Sequence, residues 1–114
     1  MKIAVVGSRT FTNYELVKNV LDNCNSICMI VSGGAIGADS MGEQYAIENG
    51  IDKLIIKPQW DKYGKRAGFI RNIDIIEASD EVYAFWDYKS IGTKHSIRLA
   101  QMRNKPCHII DIRE

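Results

Sequence analysis

The chain has 114 residues, of which 46% are apolar and 25% are charged, and its net charge is +1. This length and composition are typical of one globular domain and exclude a disordered chain, a coiled coil and a collagen-like fibre. No apolar run approaches the roughly 18 residues that span a bilayer, and the first residues lack a secretory signal, so we expect a cytoplasmic protein without a membrane partner.

Predicted strands and helices alternate along the chain. Short apolar runs predict five strands, at residues 2–6, 27–31, 53–57, 81–86 and 107–112. Helical spacing predicts a first helix that begins at Thr12 or Asn13, and further helices at residues 37–49 and 68–78. A last helix begins at Ser90 or Gly92 and ends at about Asn104. Ile47 is among the residues expected to face inward, and residues 59–67 are predicted to form a loop.

Each predicted strand is built on a continuous apolar run, as strands are when helices cover both faces of a sheet. The alternation therefore predicts an α/β fold, a three-layer Rossmann-like sandwich with a central, mostly parallel five-stranded sheet. We expect one domain over residues 1–114. Cys24, Cys28 and Cys107 lack the spacing of zinc ligands, so we expect reduced thiols, no metal site and no required cofactor.

Polar and glycine residues follow each of the first four predicted strands. Residues 7–9 follow the first strand, residues 32–39 the second, residues 57–60 the third and residues 86–93 the fourth. Because ligands of open α/β sheets bind outside the carboxyl ends of the strands, we expect these segments to converge on one site.

The segment Ser32-Gly-Gly-Ala-Ile-Gly-Ala-Asp39 is the most informative of these. Glycine lets backbone approach a ligand closely, and the segment opens a helix, whose first amides lack partners within the helix and carry partial positive charge. Such a loop binds anions, typically phosphate, although a glycine turn needed only for packing is the alternative. A second helix start, at Ser90-Ile-Gly-Thr93, faces the same edge and favours the phosphate interpretation.

Basic residues are concentrated in residues 57–71, where five cations accompany a single aspartate. One basic patch on a neutral body suggests a local anionic ligand. Lys65 and Arg66 either contact that ligand or are solvated loop charges. Trp60 and Trp86 are either packing residues or surfaces on which a base stacks.

Arg71 and Arg9 are the predicted anion clamps, because a planar guanidinium suits phosphate. The alternative for Arg71 is an ion pair with Asp74 or Asp80, which are close in sequence. Asp80 is otherwise expected to cap or brace a turn.

Two further aspartates have predicted roles at the site. Asp39 is expected to brace the amides at the start of the second helix by its charge. Asp87 is the candidate general base or acceptor of a ribose hydroxyl. If the protein is an enzyme, Arg71 and Asp87 are its predicted catalytic residues.

The predicted ligand contacts are Gly7, Ser8, Arg9, Ser32, Gly33, Gly34, Ala35, Gly37, Asp39, Trp60, Lys65, Arg66, Arg71, Asn72, Trp86, Asp87, Ser90, Gly92 and Thr93. The motifs G-x-x-x-x-G-K-[ST] and G-x-G-x-x-G are both missing, which disfavours phosphoryl transfer and NAD-dependent hydride transfer. No His is placed by sequence to activate Ser8 as a nucleophile, so capping is its expected role.

Several motifs together resemble a known superfamily: Gly7-Ser-Arg9, Ser32-Gly-Gly-Ala-x-Gly-Ala-Asp39, Trp60-x-x-Tyr-Gly-Lys-Arg-Ala-Gly-x-x-Arg-Asn72, Asp80, Phe85-Trp-Asp87 and Ser90-x-Gly-Thr93. In order and spacing they are similar to the SLOG superfamily, the Rossmann-like group named after Smf/DprA and LOG proteins. The small stand-alone YspA/YpsA-related branch matches best, from Ile3 to about Pro106. The resemblance implies a Rossmann-like domain.

Two branches of that superfamily imply different activities. LOG-type phosphoribohydrolases release a base from a nucleoside 5′-monophosphate, and Arg71, nine residues before Asp80, matches their catalytic arginine. Gly92-Thr93 matches their phosphate-binding Gly-Thr, whereas Asn72 and Ser96 replace their lysine and carboxylate. The DprA branch binds single-stranded DNA, and residues 32–39 and 69–72 resemble its motifs.

We therefore expect a protein that binds a nucleotide or nucleotide-derived ligand, with phosphates on the amides of residues 32–37 and Gly92-Thr93. A nucleoside phosphate, an ADP-ribose-type compound and a cyclic nucleotide are the candidate ligands. A LOG-like N-glycosidic hydrolase and a DprA-like single-stranded nucleic-acid module are the alternatives. A homodimer or higher homo-oligomer is also expected, because small domains of this family pair and cyclic dimers are common.

Overall fold

The computed structural model describes residues 1–113. The strands are β1 (Lys2–Gly7), β2 (Met29–Ser32), β3 (Asp52–Ile55), β4 (Glu81–Trp86) and β5 (Cys107–Asp111). The helices are α1 (Tyr14–Asp22), α2 (Ala38–Glu48), α3 (Trp60–Tyr63), α4 (Ala67–Ala78) and α5 (Ile91–Met102). The sheet has the order β3-β2-β1-β4-β5, and every neighbouring pair is parallel. The predicted Rossmann-like α/β fold is confirmed.

The central strand β1 supplies side chains to both faces of the sheet. Ile3 and Val5 belong to the core under α1 and α2, whereas Ala4 and Val6 belong to the core under α4 and α5. Successive side chains of a strand point to opposite faces of the sheet, so these residues alternate between the two cores. The side chains on both faces are apolar because helices cover both faces. The sheet is therefore the middle layer of three.

The strand order reverses between β1 and β4. The chain runs from β1 outward through β2 to the edge strand β3, then crosses to β4 and continues to the other edge strand, β5. In parallel sheets of this kind, a crevice opens outside the carboxyl ends of the strands at the reversal. The segments that follow β1 and β4 therefore meet.

The two edge strands differ from the prediction. The sequence pattern predicts that all five strands are buried, but Lys53 and Leu54 in β3 and His108 and Ile109 in β5 are exposed. An edge strand has a neighbour on one side only, so its apolar residues are covered less completely than those of β1 and β4. The sequence pattern alone does not distinguish edge strands from central ones.

The predicted loop at residues 59–67 is wrong. Residues 60–63 form α3 and residues 64–66 form a short 3₁₀ turn. The carbonyl of Gln59 accepts from the amides of Lys62 and Tyr63 at 3.1 and 3.0 Å. One turn is too short for an apolar period to show.

The inward position predicted for Ile47 is also wrong. The residue is 67% exposed, because the buried face of α2 runs through Met41 and Tyr45.

The three cysteines are free thiols. Among the residues that the structure describes, no three histidine, cysteine or acidic side chains group as a metal site. Within the same residues, no helix has the length and apolar character needed to cross a membrane.

Candidate functional site

The main cleft opens at the carboxyl ends of β1 and β4, where the strand order reverses. Its volume is about 400 Å³, within the range of about 300–1,000 Å³ that is usual for small-molecule sites. It is lined by Val6, Gly7, Ser8, Arg9, Thr10, Ala35, Asp39, Arg71, Asn72, Ile75, Asp87, Ser90, Gly92, Thr93 and Ser96. The position agrees with the general rule for ligand sites in open α/β sheets.

The turn after β1 brings Ser8 into the wall of the main cleft. Its amide donates to the carbonyl of Phe85 at 3.1 Å, and its carbonyl accepts from the amide of Ala38 at 3.3 Å. The residue is only 2% exposed, and its hydroxyl has no hydrogen-bond partner among residues 1–113. Because buried polar atoms nearly always have partners, this hydroxyl is a group that a ligand can satisfy.

The first turn of α5 forms another wall of the main cleft. Ser90 caps the helix, since its hydroxyl accepts from the amide of Thr93 at 3.3 Å. The amides of Ile91 and Gly92 belong to the same turn, where the helix itself offers no acceptors. Gly92 lines the cleft, so the positive end of the helix dipole lies beside it.

Asp87 joins β4 to α5. One carboxylate oxygen, Oδ1, accepts from the amides of Lys89 and Ser90, both at 2.8 Å. These two bonds hold the pKa of Asp87 below its usual value. The Ser8 hydroxyl adds to that effect by proximity, although it lacks the geometry of a hydrogen bond. Asp87 is thus ionised, and a carboxylate has further lone pairs that can accept from a ligand hydroxyl.

In the glycine-rich loop between β2 and α2, two backbone amides donate hydrogen bonds to the side chains that flank the loop. Gly34 donates to the Ser32 hydroxyl at 3.2 Å, and Ala35 donates to the Asp39 carboxylate at 3.3 Å. These two amides, of the six residues 32–37 expected to bind phosphate, are therefore already engaged within the loop. The physical reason is that Ser32 and Asp39 turn inward and satisfy the loop that they flank.

Asp39 is a buried carboxylate in the main cleft, with 7% of its surface exposed. Burial raises its pKa to about 6, although the Ala35 amide and the Arg71 guanidinium both favour the ionised form. The sequence predicts a brace for the α2 amides. The carboxylate hydrogen-bonds the loop that precedes the helix, and its effect on the α2 amides stays a prediction.

Arg71 extends from α4 to the loop after β2. Its Nη1 donates to the carbonyl of Gly33 at 2.7 Å, and its Nε donates to Oδ1 of Asn72 at 3.1 Å. Within residues 1–113 it forms no ion pair with Asp74 or Asp80. Burial lowers the pKa of Arg71 from its ordinary value, the charge of Asp39 opposes that change, and the nearby Arg9 adds a smaller decrease. The guanidinium nevertheless stays charged, because arginine does not lose its proton in proteins.

Asp80 and Asn72 have structural contacts. The Asp80 carboxylate accepts from the amide of Lys2 at 2.8 Å, which is the bracing role expected for it. The Asn72 side chain is buried between α4 and α5, where its amide nitrogen lies 3.5 Å from the carbonyl of Gly92 and 3.3 Å from Nδ1 of His95. Asn72 therefore joins Arg71 to the start of α5.

A second depression, the outer cleft, lies beside the main cleft. Its volume is about 590 Å³, and its lining residues are Arg9, Gly33, Gly34, Ala35, Ile36, Lys57, Pro58, Trp60 and Arg71. Three residues, Arg9, Ala35 and Arg71, line both clefts. Trp60 is 53% exposed, so its ring is accessible from solvent.

The structure brings most of the predicted contacts together, but five lie outside both clefts. The main and outer clefts do not include Ser32, Gly37, Lys65, Arg66 or Trp86. Ser32 is fully buried, with its hydroxyl 2.8 Å from Glu43. The Trp86 indole donates to the carbonyl of Ser90 at 3.1 Å and so holds the start of α5. Lys65 and Arg66 are exposed in the 3₁₀ turn.

Sequence reasoning missed lining residues of the main cleft. Thr10 and Ser96 line the main cleft and were not predicted, whereas Ile36, Lys57 and Pro58 of the outer cleft lie in the segments 32–39 and 57–60 that were expected to converge. Thr10 continues the turn after β1, and Ser96 lies one helical turn after Thr93, so their spacing was a usable signal. Nothing in the sequence indicated that the outer cleft is separate.

A protein-family model described as the YspA, cpYpsA-related SLOG family matches residues 1–63. The gene 61 protein of Mycobacterium phage D29 is 30% identical over 115 aligned positions, which cover 92% of each chain. The chain belongs to the YspA, cpYpsA-related SLOG family. The predicted SLOG resemblance is confirmed.

Two solved structures share the fold of this SLOG protein. DNA processing protein A (DprA) from Streptococcus pneumoniae matches with a TM-score of 0.80 and 21% identity, over 95% of this chain and 49% of that chain. DprA from Helicobacter pylori, which binds single-stranded DNA, matches with a TM-score of 0.74 and 25% identity, over 99% of this chain and 66% of that chain. This SLOG protein thus spans about half the length of the pneumococcal protein.

Proposed function

We propose that this SLOG protein binds a nucleotide or nucleotide-derived phosphate ligand in the main cleft, as a sensor, carrier or sequestering protein. The observation that carries the proposal is the unpartnered hydroxyl of Ser8, which is buried in the same cleft as the first turn of α5. A phosphate oxygen at that point accepts from the hydroxyl and from helix amides, and the helix dipole favours its negative charge.

Charged side chains in the main cleft support the same class of ligand. Arg9 and Arg71 both line the main cleft. Burial lowers the pKa of Arg71, Asp39 partly offsets that effect, and the charge of Arg9 adds a smaller decrease. An anion between two guanidinium groups relieves their repulsion and accepts hydrogen bonds from both. Asp87 is positioned to accept from ribose hydroxyls, so a nucleoside phosphate, an ADP-ribose-type compound and a cyclic nucleotide all fit this chemistry.

A thermal-shift panel of these compounds tests the proposal. At a hundredfold excess over Kd, a ligand that binds only the folded state stabilises it by about 2.7 kcal/mol, which raises the Tm by several degrees. Inorganic phosphate and ribose serve as controls for partial ligands. If no nucleotide raises the Tm at millimolar concentration, the protein is not a nucleotide-binding protein of this kind.

Single-stranded nucleic-acid binding is a second candidate function. It is favoured by the structural likeness to Helicobacter pylori DprA and by the exposed Trp60 beside Arg9, Lys57 and Arg71. Aromatic stacking and backbone cations are the two elements of such sites. This function predicts that oligonucleotide affinity falls steeply with rising salt, because bound cations are released from the phosphates. Absent or salt-insensitive binding of an oligonucleotide would eliminate it.

N-glycosidic hydrolysis is a third candidate. Two carboxylates line the main cleft, and their pKa values are displaced in opposite directions, upward to about 6 for Asp39 and downward for Asp87. Glycosidic cleavage commonly uses one carboxylic acid and one carboxylate. Chromatography after incubation with nucleoside monophosphates should then detect free base. If the Asp87 carboxylate is the base and not a ribose acceptor, Asp87→Asn should lose turnover while keeping affinity. Intact nucleotide after long incubation excludes this activity.

A further inference from the structure

The outer cleft continues the main cleft. Arg9, Ala35 and Arg71 line both, so a ligand that leaves the main cleft past the two guanidinium groups enters the outer cleft directly. The outer cleft is also the larger of the two, at about 590 Å³ against about 400 Å³. A single nucleotide in the main cleft would leave this space unfilled.

The two clefts attract anions for different reasons. In the main cleft, Arg9 and Arg71 are opposed by Asp39 and Asp87, and the hydroxyl of Ser8 and the amides of α5 remain to bind a phosphate. In the outer cleft, Arg9 and Arg71 are joined by Lys57, and no carboxylate is among its lining residues. The two clefts thus share Arg9 and Arg71, and each adds further groups that attract a phosphate.

The outer cleft also has an apolar wall. Trp60 and Ile36 are 53% and 71% exposed, and Pro58 lies between Lys57 and the start of α3. The Trp60 ring edge lies near Gly68 of α4, and about half of the residue's surface is exposed. A half-exposed indole next to three cations is a surface on which a nucleobase stacks.

We propose that the ligand of this protein contains two nucleoside units joined through phosphate, with one unit in the main cleft, the linking phosphate between Arg9 and Arg71, and the second base on Trp60. This inference rests on the proposed function and specifies its ligand. A free dinucleotide and two adjacent nucleotides of a single strand share this chemistry.

Calorimetric titrations of a nucleoside 5′-monophosphate and the matching linear dinucleotide, for each common base, test the inference. For at least one base, the dinucleotide should bind about tenfold or more tightly than the monophosphate, because one stacked base contributes a factor of this order. Trp60→Leu should reduce dinucleotide affinity to that of the monophosphate and leave the monophosphate unaffected. Tyr63→Leu, an exposed aromatic of the same helix outside the outer cleft, is the matched control and should change neither affinity.

The titrations distinguish failure of this inference from failure of the proposed function. If the monophosphate binds and the dinucleotide binds no more tightly, or if Trp60→Leu leaves their ratio unchanged, the two-nucleoside ligand is wrong and the nucleotide site stands. If neither compound binds the wild-type protein, both proposals fail. Where the dinucleotide does bind more tightly, a short oligonucleotide identifies the source of the two nucleoside units. Affinity that grows with chain length and falls with salt indicates a nucleic-acid strand, and affinity equal to that of the dinucleotide indicates a free dinucleotide.

Discussion

The hydroxyl of Ser8 is the single most unusual group of the cleft. A buried donor without a partner costs about 1–3 kcal/mol, so the folded protein is less stable than it would be with an apolar group of the same shape. A ligand oxygen recovers that cost on binding. The unpartnered Ser8 hydroxyl therefore lowers the free energy of unfolding of the free protein and leaves a donor available for the ligand.

Ser8→Ala should weaken nucleotide binding about tenfold while leaving the free energy of unfolding equal or raising it by about 1 kcal/mol. Ser79→Ala is the matched control, because Ser79 is equally buried but its hydroxyl donates to the carbonyl of Ile76 at 3.1 Å. It should lower stability and leave binding unchanged. Calorimetric titration and urea denaturation measure the two quantities. Equal loss of binding in both variants would contradict the role of Ser8.

Asp39 should make binding depend on pH. Its pKa of about 6 means that the carboxylate loses its charge as the pH falls through that value, and an anionic ligand then meets less repulsion. We expect the affinity for a phosphodiester ligand to rise about fivefold, since one nearby like charge contributes about 1 kcal/mol. A phosphodiester is needed because a terminal phosphate itself titrates near pH 6.

Asp39→Asn is the control for that titration. It should bind tightly at every pH, and any pH dependence that remains belongs to other groups, such as His95, whose pKa burial lowers. The stability of the folded protein should change with pH in the same direction as the affinity. The folded pKa of Asp39 lies above the unfolded value of 3.8, so the Asp39 contribution to stability rises as the pH falls from about 6. A wild-type affinity that is flat across this range would refute the role of Asp39.

At the scale of elements, the loop from β2 to α2 depends on Gly37. Its φ is +82°, and a Cβ there would overlap the carbonyl of Ser8 and the backbone of Arg9. Gly37 thus lets this loop pack directly on the turn after β1. The missing side chain of Gly37 allows the backbone of this loop to contact the backbone of Ser8 and Arg9, which line the main cleft.

Gly37→Ala should lower the free energy of unfolding by about 3 kcal/mol or more, because backbone strain and steric overlap add. Gly50→Ala tests strain alone, since Gly50 has φ of +64° but a Cβ added to it would meet no surrounding atom within 4 Å. It should cost about 1–2 kcal/mol. Denaturation curves of both variants measure the difference, and equal costs would show that the overlap is relieved by movement of the loop.

Elements with strong patterns could be predicted from the sequence, and those without could not. The bounds of β4 agree fully with the prediction, because β4 is a short apolar run between turn residues. Helix α3 has a single turn and no apolar period, so it was missed. The inward turn of Ser32 depends on its contacts with Asp39 and Glu43 of α2, and that of Asp39 on the Ala35 amide of the loop, which local sequence does not encode.

At the scale of the whole molecule, parallel topology explains why distant segments meet. The alternation of strands and helices predicts that residues after β1, β2 and β4 share one edge, and they do. The division of that edge into two clefts could not be predicted, because it depends on where the side chain of Arg71 lies. That side chain reaches Gly33, which is 38 residues away in the chain.

Self-association remains a prediction. The strands β3 and β5 end the sheet on either side, and both have exposed apolar residues, Leu54 and Ile109. Edge strands of this kind pair readily with another copy. We expect light scattering to return the mass of a dimer or larger oligomer. A monomer mass at every concentration would refute the expectation.

The central claim is that a nucleotide binds at the carboxyl ends of β1 and β4. A ¹⁵N-labelled sample, titrated with the nucleotide that gives the largest thermal shift, tests it most directly, because each backbone amide reports on its own surroundings. We predict that shift changes concentrate at residues 7–10, 33–39 and 87–93, with the amides of Ile91 and Gly92 among the largest. Unchanged spectra at millimolar ligand, or changes confined to the opposite end of the sheet, would contradict the account.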